Sequence, residues 1–128
     1  MATYYDGPQL TGAAIDAHVF CQINETATPD TVIMCPNGTS SKLAFVSQVA
    51  LAAGQALYGM QDSGYAIVKL ASGQNPAADV AMTSTSSGQA TAATTGKYIY
   101  GVTTEPASGN AGYVRIRLVE SAILQPAP

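Results

Sequence analysis

The stretch from Lys97 to Leu118 constrains the fold most. It runs Lys97-Tyr98-Ile99-Tyr100-Gly101-Val102, then a segment holding Pro106, Gly109, Asn110 and Gly112, then Tyr113-Val114-Arg115-Ile116-Arg117-Leu118. The last piece alternates strictly. Val114, Ile116 and Leu118 fall on one face; Tyr113, Arg115 and Arg117 fall on the other. A period of two is the pattern of a strand with one buried and one wet face. Burial of each aliphatic residue contributes roughly 1.5–3 kcal/mol. The middle segment is rich in turn formers and joins the two strands. The expected unit is strand, long turn, strand.

The rest of the chain repeats this plan on a shorter scale. His18–Ile23, Thr31–Cys35, Tyr65–Leu70 and Asp79–Thr83 read as strands. Pro36-Asn37-Gly38, Asp62-Ser63-Gly64 and Ser72–Pro76 read as turns or loops. The low-complexity run Thr83–Thr95 is read as a turn followed by a weak strand near Gln89–Thr91. Ser41–Leu57 supports two readings. Phe45, Val49, Ala53 and Leu57 are four apart, as on one helical face. The preferred reading is two short strands, 42–46 and 55–60, around an Ala-rich turn through Gly54.

The expected fold is all-β: a compact sandwich or barrel, jelly-roll-like, of about eight to ten short strands. Residues 11–120 form the domain, 1–10 an extended N-terminal arm and 121–128 an extended C-terminal tail. A weak internal echo accompanies the strands. Gly12–Val19, Val49–Ala56 and Asn75–Val80 are each a small-residue turn feeding a short strand.

Only 10% of the 128 residues are charged, against about 25% in ordinary domains. The surface is therefore mostly neutral and polar, suited to packing against another protein. The net charge is −3 and no basic cluster occurs, which argues against nucleic acid as a direct partner. No apolar run reaches the roughly 20 residues that cross a bilayer. The N-terminus lacks the basic start and apolar core of a signal peptide. The expected compartment is the cytoplasm, or an assembly made there.

Catalytic signals are weak. His18 is the lone histidine and lies in strand-like sequence, where a structural role is expected; a small hydrolase using His18 is the least favoured reading. No GxSxG elbow, P-loop or GxGxxG is present. The eight carboxylates are scattered over turns. Cys21 and Cys35 lack zinc spacing; buried free thiols are expected, with a disulfide between them as the alternative. No metal and no cofactor is expected. Asn24-Glu25-Thr26 and Asn37-Gly38-Thr39 match the glycosylation pattern and are read as chance.

Several segments, in order, carry a resemblance. Gly12-Ala13-Ala14-Ile15-Asp16-Ala17-His18-Val19 resembles a Gly-x-Ala-Ile-x-Ala-Gly-x-Val opening. Val49–Gln55 resembles a mid-chain Ala-Ala-Gly-Glu, and Tyr65–Lys69 the strand that follows it. Ala77–Val80 with Gly88–Thr91 resembles the next hairpin. Ile99–Glu105 with Val114–Leu118 resembles the closing Gly-Ile/Val-x-x-Glu and strand. The chain thus resembles the small capsid decoration, or cement, proteins of tailed bacteriophages over about Gly12 to Leu118. It departs at His18, where that family usually has glycine, and at Gln55, where an acid is common. Loops 24–31 and 106–112 are expanded.

The resemblance implies a non-enzymatic virion protein made in the host cytoplasm. It would bind the exterior of the expanded icosahedral head, bridge neighbouring major capsid protein subunits and stabilise the head against internal DNA pressure. The implied assembly is a homotrimer, or a homodimer. Tyr4, Tyr5, Pro8, Arg115 and Arg117 are the expected capsid or subunit interface residues. The alternative function is a carbohydrate-binding β-sandwich, with tyrosines as stacking platforms.

Overall fold

A computed structural model describes residues 3–5, 10–24, 31–34, 38, 44–55, 59–107 and 112–124. Eleven strands run among them. These are β1 (Thr3–Tyr5), β2 (Leu10–Thr11), β3 (Phe20–Asn24), β4 (Thr31–Met34), β5 (Phe45–Ser47), β6 (Met60–Ser63), β7 (Tyr65–Lys69), β8 (Ala81–Ser84), β9 (Ala90–Ala92), β10 (Tyr98–Thr103) and β11 (Tyr113–Leu124). The all-β expectation holds, with more strands than the eight to ten foreseen. One sheet has the order β1-β6-β5-β3-β4-β2, the other β7-β11-β10-β8-β9. Pairings are antiparallel except β2 beside β4, which is parallel. The helical reading of 45–57 finds no helix among the described residues there: β5 occupies 45–47, and Leu51 forms a bridge with Ile15.

The 97–118 unit forms as expected. β10 and β11 pair with Gly101 opposite Leu118 and Thr103 opposite Ile116. Val114, Ile116 and Leu118 are buried, while Arg115 and Arg117 are exposed. Gly101 permits the close approach: a Cβ there would lie 2.6 Å from Ile116 Cδ1 and 3.2 Å from the Arg117 carbonyl.

The principal core lies between the sheets. Phe20 and Val46 project from β3 and β5 toward Ala66, Val68, Met82, Tyr100 and Ile116 of the second sheet. Phe20 and Tyr100 pack with ring centroids 5.6 Å apart. The same two strands are buried on their other face as well. Phe20 pairs with Val46 and the next position pairs Cys21 with Phe45. Alternation sends this second pair the opposite way, into a smaller cluster with Ile15, Val19 and Leu51. The cover over that cluster is built from two echo segments, which bond to each other. Ile15 N–H donates to the Leu51 carbonyl at 2.8 Å and Leu51 N–H to the Ile15 carbonyl at 2.9 Å.

All three echoes share one hydrogen-bonded clasp. Each has a two-residue turn of alanine followed by a residue with left-handed backbone: Ala17-His18 (φ 62°), Ala53-Gly54 (φ 75°) and Ala78-Asp79 (φ 61°). A buried hydroxyl residue holds each turn: Ser47, Thr11 and Thr103 respectively. The left-handed residue's N–H donates to the hydroxyl residue's carbonyl, at 2.7 Å for His18, 2.8 Å for Gly54 and 2.9 Å for Asp79. The following N–H, of Val19, Gln55 or Val80, donates to the hydroxyl oxygen at 3.2, 3.2 and 2.8 Å. That hydroxyl donates onward to the carbonyl of Asp16, Ala52 or Ala77, at 2.6, 2.5 and 2.7 Å. The hydroxyl residue's own N–H returns a bond to the carbonyl of Val19, Gln55 or Val80 at 3.1, 3.1 and 3.0 Å. Each clasp satisfies the buried hydroxyl residue's own backbone groups; a buried group left unpaired costs roughly 1–3 kcal/mol.

The clasp explains two boundary differences. The strands expected from His18 and from Asp79 begin instead at Phe20 and Ala81, because a left-handed residue cannot sit in a strand. It also explains why glycine would suit position 18, since glycine adopts positive φ without a steric penalty.

The ends differ from the boundaries read in the sequence. Thr3–Tyr5, placed in the arm, pairs as a strand with β6, Thr3 opposite Ser63 and Tyr5 opposite Met60. β11 continues past residue 120 to Leu124, with Tyr98 opposite Leu124 after an irregularity in register. Backbone pairing with β6 at one end and with β10 at the other draws both segments into the sheets. Residues 125–128 of the tail lie outside the described residues.

Candidate interaction surface

The corner between the sheets links β1 to β11 through β6 and β7. β6 passes through Gly64 (φ 78°) directly into β7. Thr3 is paired with Ser63 on one side of this corner, and Tyr65 with Arg117 on the other. Gln61 locks the corner from within. It is buried, accepts from Gln48 Nε2 at 3.0 Å and donates through its Nε2 to the Tyr65 carbonyl. Of the expected interface residues, Tyr4 and Tyr5 are therefore on a strand beside this corner, with side chains outside the described set. Pro8 lies outside the described residues. Arg115 and Arg117 are on the outer face of the second sheet.

Beta-strand alternation puts Ala66, Val68 and Leu70 into the core and leaves Tyr65, Ile67 and Lys69 facing out. Tyr65 is 54% exposed and Ile67 46%, large values for residues of this size. Pairing aligns them with β11: Tyr65 opposite Arg117, Ile67 opposite Arg115, Lys69 opposite Tyr113. The Arg115 guanidinium lies 5.4 Å from the Tyr65 ring centre, diagonally across the strands. A contact of this kind contributes roughly 0.5–1 kcal/mol at an exposed site. Tyr65 and Ile67 are functional candidates that sequence reasoning missed. Their alternation was visible, but the pairing that sets them beside the two arginines was not.

Two depressions flank the Tyr65–Arg115 stack. One, of about 400 Å³, is lined by His18, Ile67, Glu105, Tyr113, Val114 and Arg115. The other, of about 300 Å³, is lined by Tyr65, Asp79, Val102, Thr103, Thr104 and Arg117. Each combines one arginine with one carboxylate.

His18 serves the first depression and the fold together. Its N–H is held by Ser47 and its carbonyl accepts from Lys69 N–H at 2.7 Å. Its ring stands edge-on to Tyr113, with centroids 5.6 Å apart and planes at 88°. Its Nδ1 is buried without a hydrogen-bond partner. Ser47 Oγ, the nearby hydroxyl, is engaged in the clasp. Cys21 is a free, buried thiol whose Sγ lies 3.5 Å from the Val19 carbonyl. Burial pushes its pKa up to about 12, so it is not poised as a nucleophile. Cys35 lies outside the described residues. Among the described residues, no group of three or more His, Cys, Asp or Glu is placed to hold a metal ion.

No protein-family model matches the chain, and no curated protein matches it. A solved structure does: the N base of head fiber gp8.5 of bacteriophage phi29, with a TM-score of 0.68 at 13% identity. The two chains share one fold. The likeness takes in 98% of this chain and 100% of the head-fibre base. It therefore spans both sheets. At this identity the likeness is one of architecture.

Proposed function

We propose that this protein is a non-enzymatic accessory component of a phage head. It binds the outer surface of the expanded icosahedral capsid, bridges neighbouring major capsid protein subunits and stabilises the head against internal DNA pressure. The observation that carries this is the whole-length likeness to a head-fibre base. The ordered segments resembling decoration proteins support it independently. The weakly charged composition suits a protein partner over an ionic one.

The contact surface in this proposal is the corner where β1 meets β6 and β7. β1 closes one side of its sheet among the described residues, and an edge strand of this kind offers backbone groups to a strand of the capsid protein or of a second copy. Tyr4, Tyr5 and Pro8 extend the contact from the N-terminal side, and Arg117 and Arg115 from the outer face. A homotrimer, or a homodimer, would present this corner several times. Repeated presentation on a lattice converts modest affinity into tight binding.

Removal of residues 1–9 tests the contact. The truncated protein should melt cooperatively and occupy expanded heads far less than the full chain. Undiminished occupancy would remove the N-terminal stretch from the interface.

A further inference from the structure

We propose that the depression between His18, Ile67, Glu105, Tyr113 and Arg115 is a binding site for a neutral polyhydroxylated ligand, a short glycan segment. This goes beyond the head reading and does not depend on it. The first observation is size: about 400 Å³ falls within the range of about 300–1,000 Å³ typical of small-ligand sites. The second is the lining. Tyr113 and Ile67 supply apolar surface against which the C–H face of a sugar ring can pack. Glu105 offers a planar acceptor and Arg115 a planar donor fork at the same site.

The charges decide the class of ligand. Arg115 and Glu105 both line the depression, yet among the described residues neither makes an ion pair. Their charges cancel across the site. An anion that gains Arg115 is opposed by Glu105, and a cation meets the reverse. A vicinal diol satisfies both, accepting from the guanidinium while donating to the carboxylate. The His18 ring, with its unpartnered Nδ1 and its edge against Tyr113, supports the wall. The site shares Arg115 with the proposed head contact, and the rest of it lies further along β7: Ile67 is opposite Arg115, and Lys69 opposite Tyr113.

The test applies the full-length protein to an immobilised array of neutral, amino-sugar and acidic glycans at low and high salt. Glu105→Gln and Arg115→Ala run in parallel; both residues are exposed, so the fold should persist, with melting as the check. The expected result is retention on neutral glycans that high salt leaves unchanged, since no net charge is being screened. Each variant should weaken it by about tenfold, as for loss of a hydrogen bond to a charged group. The proposal is overturned by the absence of retention on any neutral glycan. It is also overturned by binding confined to acidic glycans and abolished by salt, or by variants that bind as the parent does. If the array stays blank while Arg115→Ala lowers head occupancy, Arg115 belongs to the head contact alone and the glycan assignment fails.

Discussion

Thr103 and Val80 hold each other twice. The Val80 N–H donates to Thr103 Oγ1 at 2.8 Å, and the Thr103 N–H donates to the Val80 carbonyl at 3.0 Å. Thr103 Oγ1 also donates to the Ala77 carbonyl at 2.7 Å. Replacement by valine keeps the shape and removes both side-chain bonds, leaving backbone groups unpaired in a buried setting. Thr103→Val should lower stability by roughly 1–3 kcal/mol in chemical denaturation, and Thr103→Ser should recover most of it. Equal stability of all three proteins would show the clasp to be incidental.

His18 has a left-handed backbone, a conformation that costs a non-glycine residue on the order of 1–3 kcal/mol. His18→Gly relieves that cost while giving up the contact with Tyr113, so its stability should stay within about 1 kcal/mol of the parent. His18→Val adds a β-branched side chain at the same φ and should be the less stable of the two by roughly 2 kcal/mol. Thermal melts of the pair check the order.

Gly101 and Ile116 meet where β10 crosses the core. An alanine Cβ at 101 would press on Ile116 Cδ1 and the Arg117 carbonyl, so Gly101→Ala should cost roughly 1–3 kcal/mol by overpacking. Ile116→Asp places an unpaired charge in the core and should abolish cooperative folding. A soluble Ile116→Asp protein with a sharp melt would mean β11 is misassigned.

Cys21 makes stability depend on pH in the alkaline range. Its folded pKa is raised from 9.0 to about 12 by burial, so folding favours the neutral thiol. The contribution is fully present below pH 9 and is lost as pH rises from 9 to 12, at roughly 1 kcal/mol per pH unit. Cys21→Ala should flatten this part of the profile. At pH 8 the folded protein should not be alkylated at Cys21, as peptide mass mapping reads directly.

The strands were legible in the sequence where burial alternates within a few residues, as at Val114, Ile116 and Leu118. The turns at His18 and Asp79 were not. His and Asp enter positive φ more readily than most non-glycine residues, but only a minority of them do, and what holds these two is a hydroxyl far along the chain, Ser47 and Thr103. Thr3–Tyr5 looked like an arm because nothing local distinguishes an unattached strand from one paired with Met60–Ser63. The candidate surface was half legible. Arg115 and Arg117 stood out as the wet face of β11, but their neighbours Tyr65 and Ile67 required the β7–β11 register. Ser41–Leu57 carried a helical period whose first two members, Phe45 and Val49, do share one buried cluster, reached from a strand and from a covering segment, while Ala53 is exposed.

The head-binding claim is tested most directly by imaging. Purified protein is mixed with emptied, expanded phage heads and examined by cryo-electron microscopy. The account predicts added density at regular outer lattice positions, with the β1 corner against the capsid protein. Bare heads at saturating protein, or density only inside the shell, would contradict it.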